Sequence, residues 1–298
     1  MALHDTNRAR RVERDAGGKG VNISRSIHGL RGKTLATGFL GGGPGAYVRH
    51  VLDNEGVPND FVSIREETRI DFSLEMEDGR PPSCFNEPGP TIYDSELETL
   101  IAKIRSLLPS SRWLVLGGSH PPGTPPEIFQ RIGNIARNAG IPFALDADND
   151  VLKMGLAAGP TFLKPNASEA SRLLGVKLTT LEDCIQGAQE IAKRLSVQNP
   201  EESSIVVISR GEHGAVMSAK RQVYIGHSPR IQKQSTVGCG DSMIGAMITL
   251  LDKGFPAAEA FRFGLAAGAA TAQKRGSGVA NLDEIEAILP GASVRVAG

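Results

Sequence analysis

The sequence predicts an α/β protein whose mainly parallel sheet is covered by helices on both faces, and three observations lead there. From Thr91 onward, short apolar runs alternate with longer stretches in which apolar residues recur every three or four positions. The short runs are nearly continuous in apolar residues, as strands buried on both faces are. Polar and glycine-rich clusters fall just after those runs, where doubly wound sheets bind ligands. With 298 residues the chain can bury a full core, as one large domain or two small ones.

In chain order, Asn7 to Arg14 is basic and weakly alternating, and reads as a solvated strand. Gly17, Gly18, Lys19 and Gly20 then open a helical run through Val21, Ile23, Ile27 and Leu30. This turn is a candidate anion loop with Asn22 in its first helical turn, or a plain strand-to-helix turn with Lys19 in solvent. An apolar strand is expected around Leu35–Leu40. Arg69 to Met76 alternates, with Ile70, Phe72, Leu74 and Met76 on one face, and Asp78 and Gly79 offer a turn before Ser83. That pattern predicts a β-hairpin within 66–90, a flap over a site with Arg69 at its start.

Beyond the hairpin, a helix is expected through Leu97, Leu100, Ile101, Ile104 and Leu107, then a strand over Trp113–Leu116 and the loop Gly117 to Gly123. Further strands are expected at Ile141–Leu145, ending at Asp146, at Thr161–Leu163, and at Ile205–Ser209, with two strongly apolar helices closing the chain. Lys164, Asn166 and Glu169 follow the second of these strands. A lysine and an amide at a strand end, with a carboxylate one helical turn on, suit phosphate oxygens and a hydrated Mg²⁺, or form an ordinary loop and first-turn glutamate. Ser209, Gly211 and Gly214 bound a turn that suits the underside of a nucleotide, or a hairpin connection.

Ser235 to Ala246 is the stretch that the rest serves. Gly238, Cys239 and Gly240 precede Asp241, after which Met243, Ile244, Met247, Ile248 and Leu251 take helical spacing. The glycines should form the first turn of that helix, where amide groups lack intrahelical partners and the dipole is positive. Asp241 there can accept a proton from a hydroxyl while the amides stabilise a phosphoryl group in transfer; the alternative is a helix cap. Cys239, a thiol at a helix start, reads either as a small residue that a tight turn accepts or as a thiol of lowered pKa and raised reactivity.

Composition narrows the classes. Lys+Arg and Asp+Glu both number 33, which argues against nucleic acid or an anionic membrane as the main partner. Three scattered cysteines suggest neither a disulfide framework nor a zinc site. No signal peptide or spanning apolar run is evident, so a reducing cytoplasm is expected. Arg31 to Thr34 mimics the end of a Walker A loop, but Ile27 stands where its first glycine should be. Gly41, Gly43 and Ala46 mimic a dinucleotide fingerprint interrupted by Pro44. Ser119 and His120 lack the nucleophile elbow of a serine hydrolase.

Taken in order, the Gly17–Gly20 loop with Asn22, the Gly118–Gly123 loop, the Lys164–Glu169 and Ser209–Gly214 motifs, and the Ser235–Ser242 motif resemble the PfkB group of ribokinase-like carbohydrate kinases. The likeness runs from about Asn7 to the C-terminal helix. Gln234–Met243 and Arg262–Gly268 look most like the phosphofructokinase branch, the minor 6-phosphofructokinases above all, with 1-phosphofructokinases and tagatose-6-phosphate kinases as near neighbours. The resemblance implies a three-layer αβα sandwich with a small β lid, and transfer of a phosphoryl group from MgATP to a sugar phosphate, fructose 6-phosphate first. It implies Asp241 as general base and the amides of Gly238, Cys239 and Gly240 as anion hole. Lys164, Asn166 and Glu169 would serve nucleotide phosphates and, indirectly, Mg²⁺. Ser209, Gly211, Gly214, Leu265 and Ala269 would line the adenine side. Gly17, Gly18 and Asn22 would hold sugar hydroxyls, and Arg69 and Ser119 would face the substrate phosphate. K⁺ would lie near Ser235, Val237, Thr271, Lys274 and Gly276. Lids in this family often pair between subunits, which makes a homodimer one candidate state, but half of this lid is expected to be missing and the oligomeric state is left open. A departure is also implied: the single domain 1–298 should lack the strand and substrate loop that the family carries ahead of its glycine loop, since Asp5 does not match that motif. An inactive binder of nucleotide or sugar phosphate is therefore the alternative from another class.

Overall fold

The structure, a computed structural model, describes residues 6–74, 83–147, 149–198 and 204–297. Helix α1 (Lys19–Gly29) is followed by β1 (Phe39–Leu40), α2 (Gly42–Asn54), β2 (Val62–Ser63), and the hairpin strands β3 (Phe72–Leu74) and β4 (Ser83–Phe85). Helix α3 (Asp94–Leu107), β5 (Leu114–Gly117), α4 (Ile128–Asn138), β6 (Phe143–Asp146), α5 (Asn149–Gly155) and β7 (Phe162–Leu163) continue the alternation. Then come α6 (Ala167–Leu174), α7 (Leu181–Gln198), β8 (Ile205–Ser209), β9 (Ala215–Ala219) and β10 (Gln222–His227). The chain runs on through α8 (Cys239–Asp252), α9 (Ala257–Ala272), α10 (Leu282–Ile288) and β11 (Ser293–Val296).

The main sheet has the order β11-β10-β9-β8-β7-β6-β5. Strands β5 to β8 are parallel, and β9, β10 and β11 join antiparallel. Period-2 alternation sends successive side chains to opposite faces. Leu145, Leu163, Val206 and Ile208 enter the core beneath α3, α4 and α7, while Ala144, Phe162 and Val207 meet Ile23, Met243, Met247 and Phe261 from α1, α8 and α9. Near-continuous apolar strands thus mark a sheet buried on both faces, a three-layer αβα sandwich as expected.

Three expectations need correcting. Residues 7–14 form no strand; they run exposed, with the Arg14 carbonyl accepting from the Tyr47 hydroxyl at 2.8 Å. Extended chain becomes a strand only through a ladder with another strand, and among the described residues no ladder includes this segment. The strand around Leu35–Leu40 shrinks to Phe39–Leu40, and Leu35 is exposed. The closing helices are followed by α10 and by β11, which pairs with β10. The turn before Ala215 is a hairpin connection, one of its two expected forms, and it leads into an antiparallel meander at one side of the mainly parallel sheet.

The hairpin forms, with Phe72 opposite Phe85 and Leu74 opposite Ser83; Met76 and the expected turn at Asp78 and Gly79 lie outside the described residues. Among the described residues, β5 pairs only with β6, and β1 and β2 form a separate parallel pair. Among them, too, no helix is long and apolar enough to cross a membrane.

Candidate active site

Parallel strands in register end at one edge, and that is why residues distant in sequence gather here. Gly117 lies opposite Asp146, Leu145 opposite Leu163, and Leu163 opposite Val206. The loops leaving β5 to β8 therefore emerge side by side, and Asn166 bridges Ser209 across the last two. Asn166 also caps α6: its Oδ1 accepts from the Glu169 amide at 2.9 Å, and Glu169 Oε2 accepts from the Asn166 amide at 2.7 Å. This reciprocal box holds Glu169 at the first turn of α6, 8% exposed.

Helix α8 brings its positive end to the same place. Gly238, at φ 73°, turns the chain into it, a left-handed conformation that favours glycine. Close approach of α1, α8 and α9 seats the helix. A methyl at Gly245 would meet Ser26 Cβ at 2.9 Å, one at Gly264 Met247 Cγ at 2.6 Å, and one at Gly268 the Cys239 carbonyl at 3.1 Å. Asp241, in the first turn, is buried at 8% exposure, and its Oδ2 accepts from Asn22 Nδ2 at 2.8 Å. Burial pushes its pKa up, Asn22 draws it down, Asp146 raises it again, and Lys164 and Lys19 oppose; the net shift is upward. A methyl at Gly240 would lie 2.9 Å from Lys164 Nζ, so that ammonium rests against the glycine turn.

Two members of this cluster carried no functional role in the sequence reading. Asp146, 2% exposed, ends β6, and its Oδ1 accepts from Lys19 Nζ at 3.0 Å and lies 3.8 Å from Lys164 Nζ. Its place at the end of a predicted strand was the available signal. Lys19, expected in solvent on the plain-turn reading, points inward. Burial would lower its pKa, but the carboxylates of Asp146, Glu169 and Asp241 raise it on balance. Around them Gly17, Gly18, Gly20, Gly118 and Gly211 face open space: a methyl at any of them would meet nothing within 4 Å. The five lie on the loops that the sequence assigned to ligands.

The other expected residues divide. Arg69 Nη1 donates to Ser119 Oγ at 3.2 Å and Arg69 pairs with Asp71 at 3.2 Å, so hairpin and β5 loop meet. Gly214 is packed against the Gly226 backbone, and Leu265 lies in the core with Phe261 beneath β10. Both serve packing, which sequence spacing cannot distinguish from lining. Ala269 is 8% exposed on α9. Ser235 Oγ donates to the Gly276 carbonyl at 3.0 Å, and the Ser235 and Val237 carbonyls lie 3.8 and 4.0 Å from Cys239 Sγ, so these three positions converge. The Thr271 hydroxyl is engaged by Ser242 Oγ and the Ala280 amide, and the Lys274 ammonium by Glu284.

Cys239 is the clear correction. Burial first and Asp241 second push its thiol up to about 11, opposite to the expected direction. The helix start favours a thiolate only where water or a cation can also reach it.

Residues 2–284 match the family described as pfkB family carbohydrate kinase. The chain is 33% identical over 260 residues to a 1-phosphofructokinase of Borreliella burgdorferi, covering 87% of this chain and 81% of that protein. It is 32% identical over 275 residues to the ATP-dependent 6-phosphofructokinase isozyme 2 of Escherichia coli, covering 92% and 87%. The solved structure of phosphofructokinase-2 from Escherichia coli in complex with potassium superposes with a TM-score of 0.88 at 30% identity, covering 97% of this chain and 92% of that one.

Proposed function

The chain belongs to the pfkB family of carbohydrate kinases, and from that premise we propose that it transfers a phosphoryl group from MgATP to the C1 hydroxyl of fructose 6-phosphate. It is a phosphotransferase acting on an alcohol group, a sugar-phosphate kinase of the phosphofructokinase kind. The observation that carries the mechanism is Asp241, buried at the start of α8, between the Asn22 amide and the Lys164 ammonium.

Phosphoryl transfer asks a protein to position and neutralise rather than to form bonds of its own. Asp241 takes the proton of the acceptor hydroxyl as charge builds on it. The first-turn amides of α8 and the Lys164 ammonium face the phosphoryl oxygens from the other side. Asp146 holds Lys19 and orients Lys164, so that two cations stand beside the base without quenching it. The donor set suits Mg²⁺, a hard cation that keeps several waters: Glu169, with Asp146 nearby, would hold it through water, and it would neutralise the nucleotide phosphates. The Ser235 and Val237 carbonyls beside Cys239, and the Gly276 carbonyl on the Ser235 hydroxyl, are oxygen donors of the type that would hold K⁺.

Support for fructose 6-phosphate comes from the Gln234–Met243 and Arg262–Gly268 patterns and from the likeness to the Escherichia coli isozyme. Fructose 1-phosphate is the second reading, favoured by the Borreliella relative, which is equally similar. The test is coupled ADP release with MgATP and K⁺, with fructose 6-phosphate, fructose 1-phosphate and tagatose 6-phosphate in parallel and Asp241→Asn as control. Preference for fructose 6-phosphate that disappears in the variant supports the reading. Preference for another sugar phosphate replaces it, and ATP binding without turnover marks an inactive binder.

The lid suits a second copy of the chain. Ile70, Phe72, Leu74 and Phe85 are 46, 56, 43 and 57% exposed on a two-stranded hairpin. A lone hairpin of that kind is marginal in water, and pairing it with its equivalent would cover this face.

A further inference from the structure

We propose that Arg25 is a positioning residue that ties the glycine loop before α1 to the turn entering α8, so that a ligand ordering either loop orders the other. The inference takes from the kinase reading above only what the two loops bind; the coupling itself rests on a guanidinium outside the reacting groups.

Arg25 lies on α1 with its side chain 12% exposed. Its Nε and Nη2 hold the Glu55 carboxylate in a fork, both at 2.6 Å, which anchors the guanidinium to the end of α2. The remaining nitrogen, Nη1, faces backbone: it donates to the Ser277 carbonyl at 2.8 Å and reaches the Ala16 carbonyl at 3.5 Å. Asp15 and Ala16 clasp the same turn. Asp15 Oδ2 accepts from the Ser277 amide at 3.2 Å, and the Ala16 carbonyl accepts from the Ser277 hydroxyl at 3.1 Å. Gly276, at φ 55°, lies so close to the Asp15 carboxylate that a methyl there would collide with it.

This turn also holds the phosphoryl side. The Gly276 carbonyl accepts from Ser235 Oγ at 3.0 Å, and that hydroxyl oxygen accepts from the Val237 amide at 3.1 Å. Gln234 and Ser235 donate their amides to the Ala272 carbonyl at 2.8 and 3.2 Å, and Arg275 Nε donates to Gln234 Oε1 at 3.1 Å. A continuous polar bridge thus runs from Asp15 through residues 272–277 to Val237, beside Gly238. Neither loop is packed on its ligand side: a methyl at Gly17, Gly18 or Gly20 would meet nothing within 4 Å, and Val237 is 50% exposed. Their order depends on the polar bonds behind them, which the Arg25–Glu55 fork fastens to α1 and α2. A lysine has no planar fork with which to hold Glu55 and the Ser277 carbonyl together. Coupling carried by such ordering is reciprocal and shows in hydrogen exchange.

The experiment follows amide hydrogen exchange by mass spectrometry in wild type, Arg25→Met, Arg25→Lys and Glu55→Gln, first without ligand. In Arg25→Met the segments 15–20 and 234–240 should both exchange at least about fivefold faster, although of the two Arg25 touches only the first. Strand β6 and helix α4 should keep their rates. Arg25→Lys should behave as Arg25→Met does, and Glu55→Gln should move both segments in the same direction. MgADP, which lacks the phosphoryl group that would reach the glycine loop itself, is then added. It should protect both segments in wild type but only 234–240 in Arg25→Met. With the sugar phosphate, kcat should fall about 10-fold or more in Arg25→Met, and more than either KM rises. Faster exchange confined to 15–20 and 275–278, or a uniform rise that includes β6 and α4, overturns the inference and leaves Arg25 a structural residue. Protection of 15–20 by MgADP that survives in the variant overturns it too. Paired exchange changes in a protein that turns over no sugar phosphate keep the coupling and remove the kinase reading. Should Arg25→Met not fold, Arg25→Lys and Glu55→Gln decide on the same pattern.

Discussion

On the proposed mechanism Asp241 is the base, and its surroundings set when it can act. A base works deprotonated, and burial, the largest influence, lifts its pKa above the ordinary 3.8. Activity should therefore fall as pH drops through that raised value, at a higher pH than a solvated aspartate would give. We expect Asp241→Asn to lower kcat by about 10²–10⁴-fold and to abolish this acid limb, as pH-dependent steady-state rates would show. Wild-type rates in the variant would remove Asp241 from the mechanism. Cys239, two residues away, is pushed in the same direction by its own burial: with its thiol up at about 11, almost no thiolate exists at neutral pH. Iodoacetamide at pH 7.5 should label the exposed Cys84 well before Cys239, and peptide mass spectrometry follows the order directly. Early loss of Cys239 would show that the thiol is more accessible than its surroundings allow.

At the scale of elements, the site depends on how closely three helices approach. Gly245, Gly264 and Gly268 let α1, α8 and α9 meet, and Gly268 does so against the Cys239 carbonyl at the start of α8. Gly264→Val would drive a branched side chain into Met247 and Met243. Overpacking of this kind costs about 1–3 kcal/mol, which urea unfolding monitored by circular dichroism would detect; an unchanged midpoint would mean that the helices separate freely. On the other side of the site Arg25 joins three segments. It donates to the Ala16 carbonyl at 3.5 Å, to the Ser277 carbonyl at 2.8 Å, and to Glu55 at 2.6 Å. The glycine loop before α1 and the Gly276 turn are thus fixed to one guanidinium, although Ala16 and Ser277 are 261 positions apart in sequence.

Across the whole molecule, the β3–β4 hairpin, the proposed lid, is an apolar part that the other described residues leave uncovered. Its apolar side chains face outward on a hairpin too small to stand alone. With lid pairing between two copies, Phe72→Asp should weaken the dimer at least about tenfold, equivalent to 1.4 kcal/mol, and shift the mass measured by light scattering toward monomer. A variant that keeps the wild-type mass would leave the lid face without that role. The edge of β5 belongs to the same scale: among the described residues it has one neighbour, and β1 and β2 lie in a separate sheet.

Much of this was written locally. Helix α1 after its glycines, α3, the strands β5 to β8 and the turn into α8 all follow from apolar period and glycine placement, because those signals act within a few residues. So did Asp241, Lys164, Asn166 and Glu169 as candidates, since parallel strands present their loops at one edge. What only the tertiary structure decided needed partners distant in sequence. Residues 7–14 take no strand conformation among the described residues, while β9 to β11 pair antiparallel, each returning alongside the one before it. Lys19 turns inward because Asp146 waits 127 positions away. Cys239 is quiet because burial outweighs the helix dipole. The bond from Asn22 to Asp241 spans 219 positions, so its existence could come only from the packing of α1 against α8.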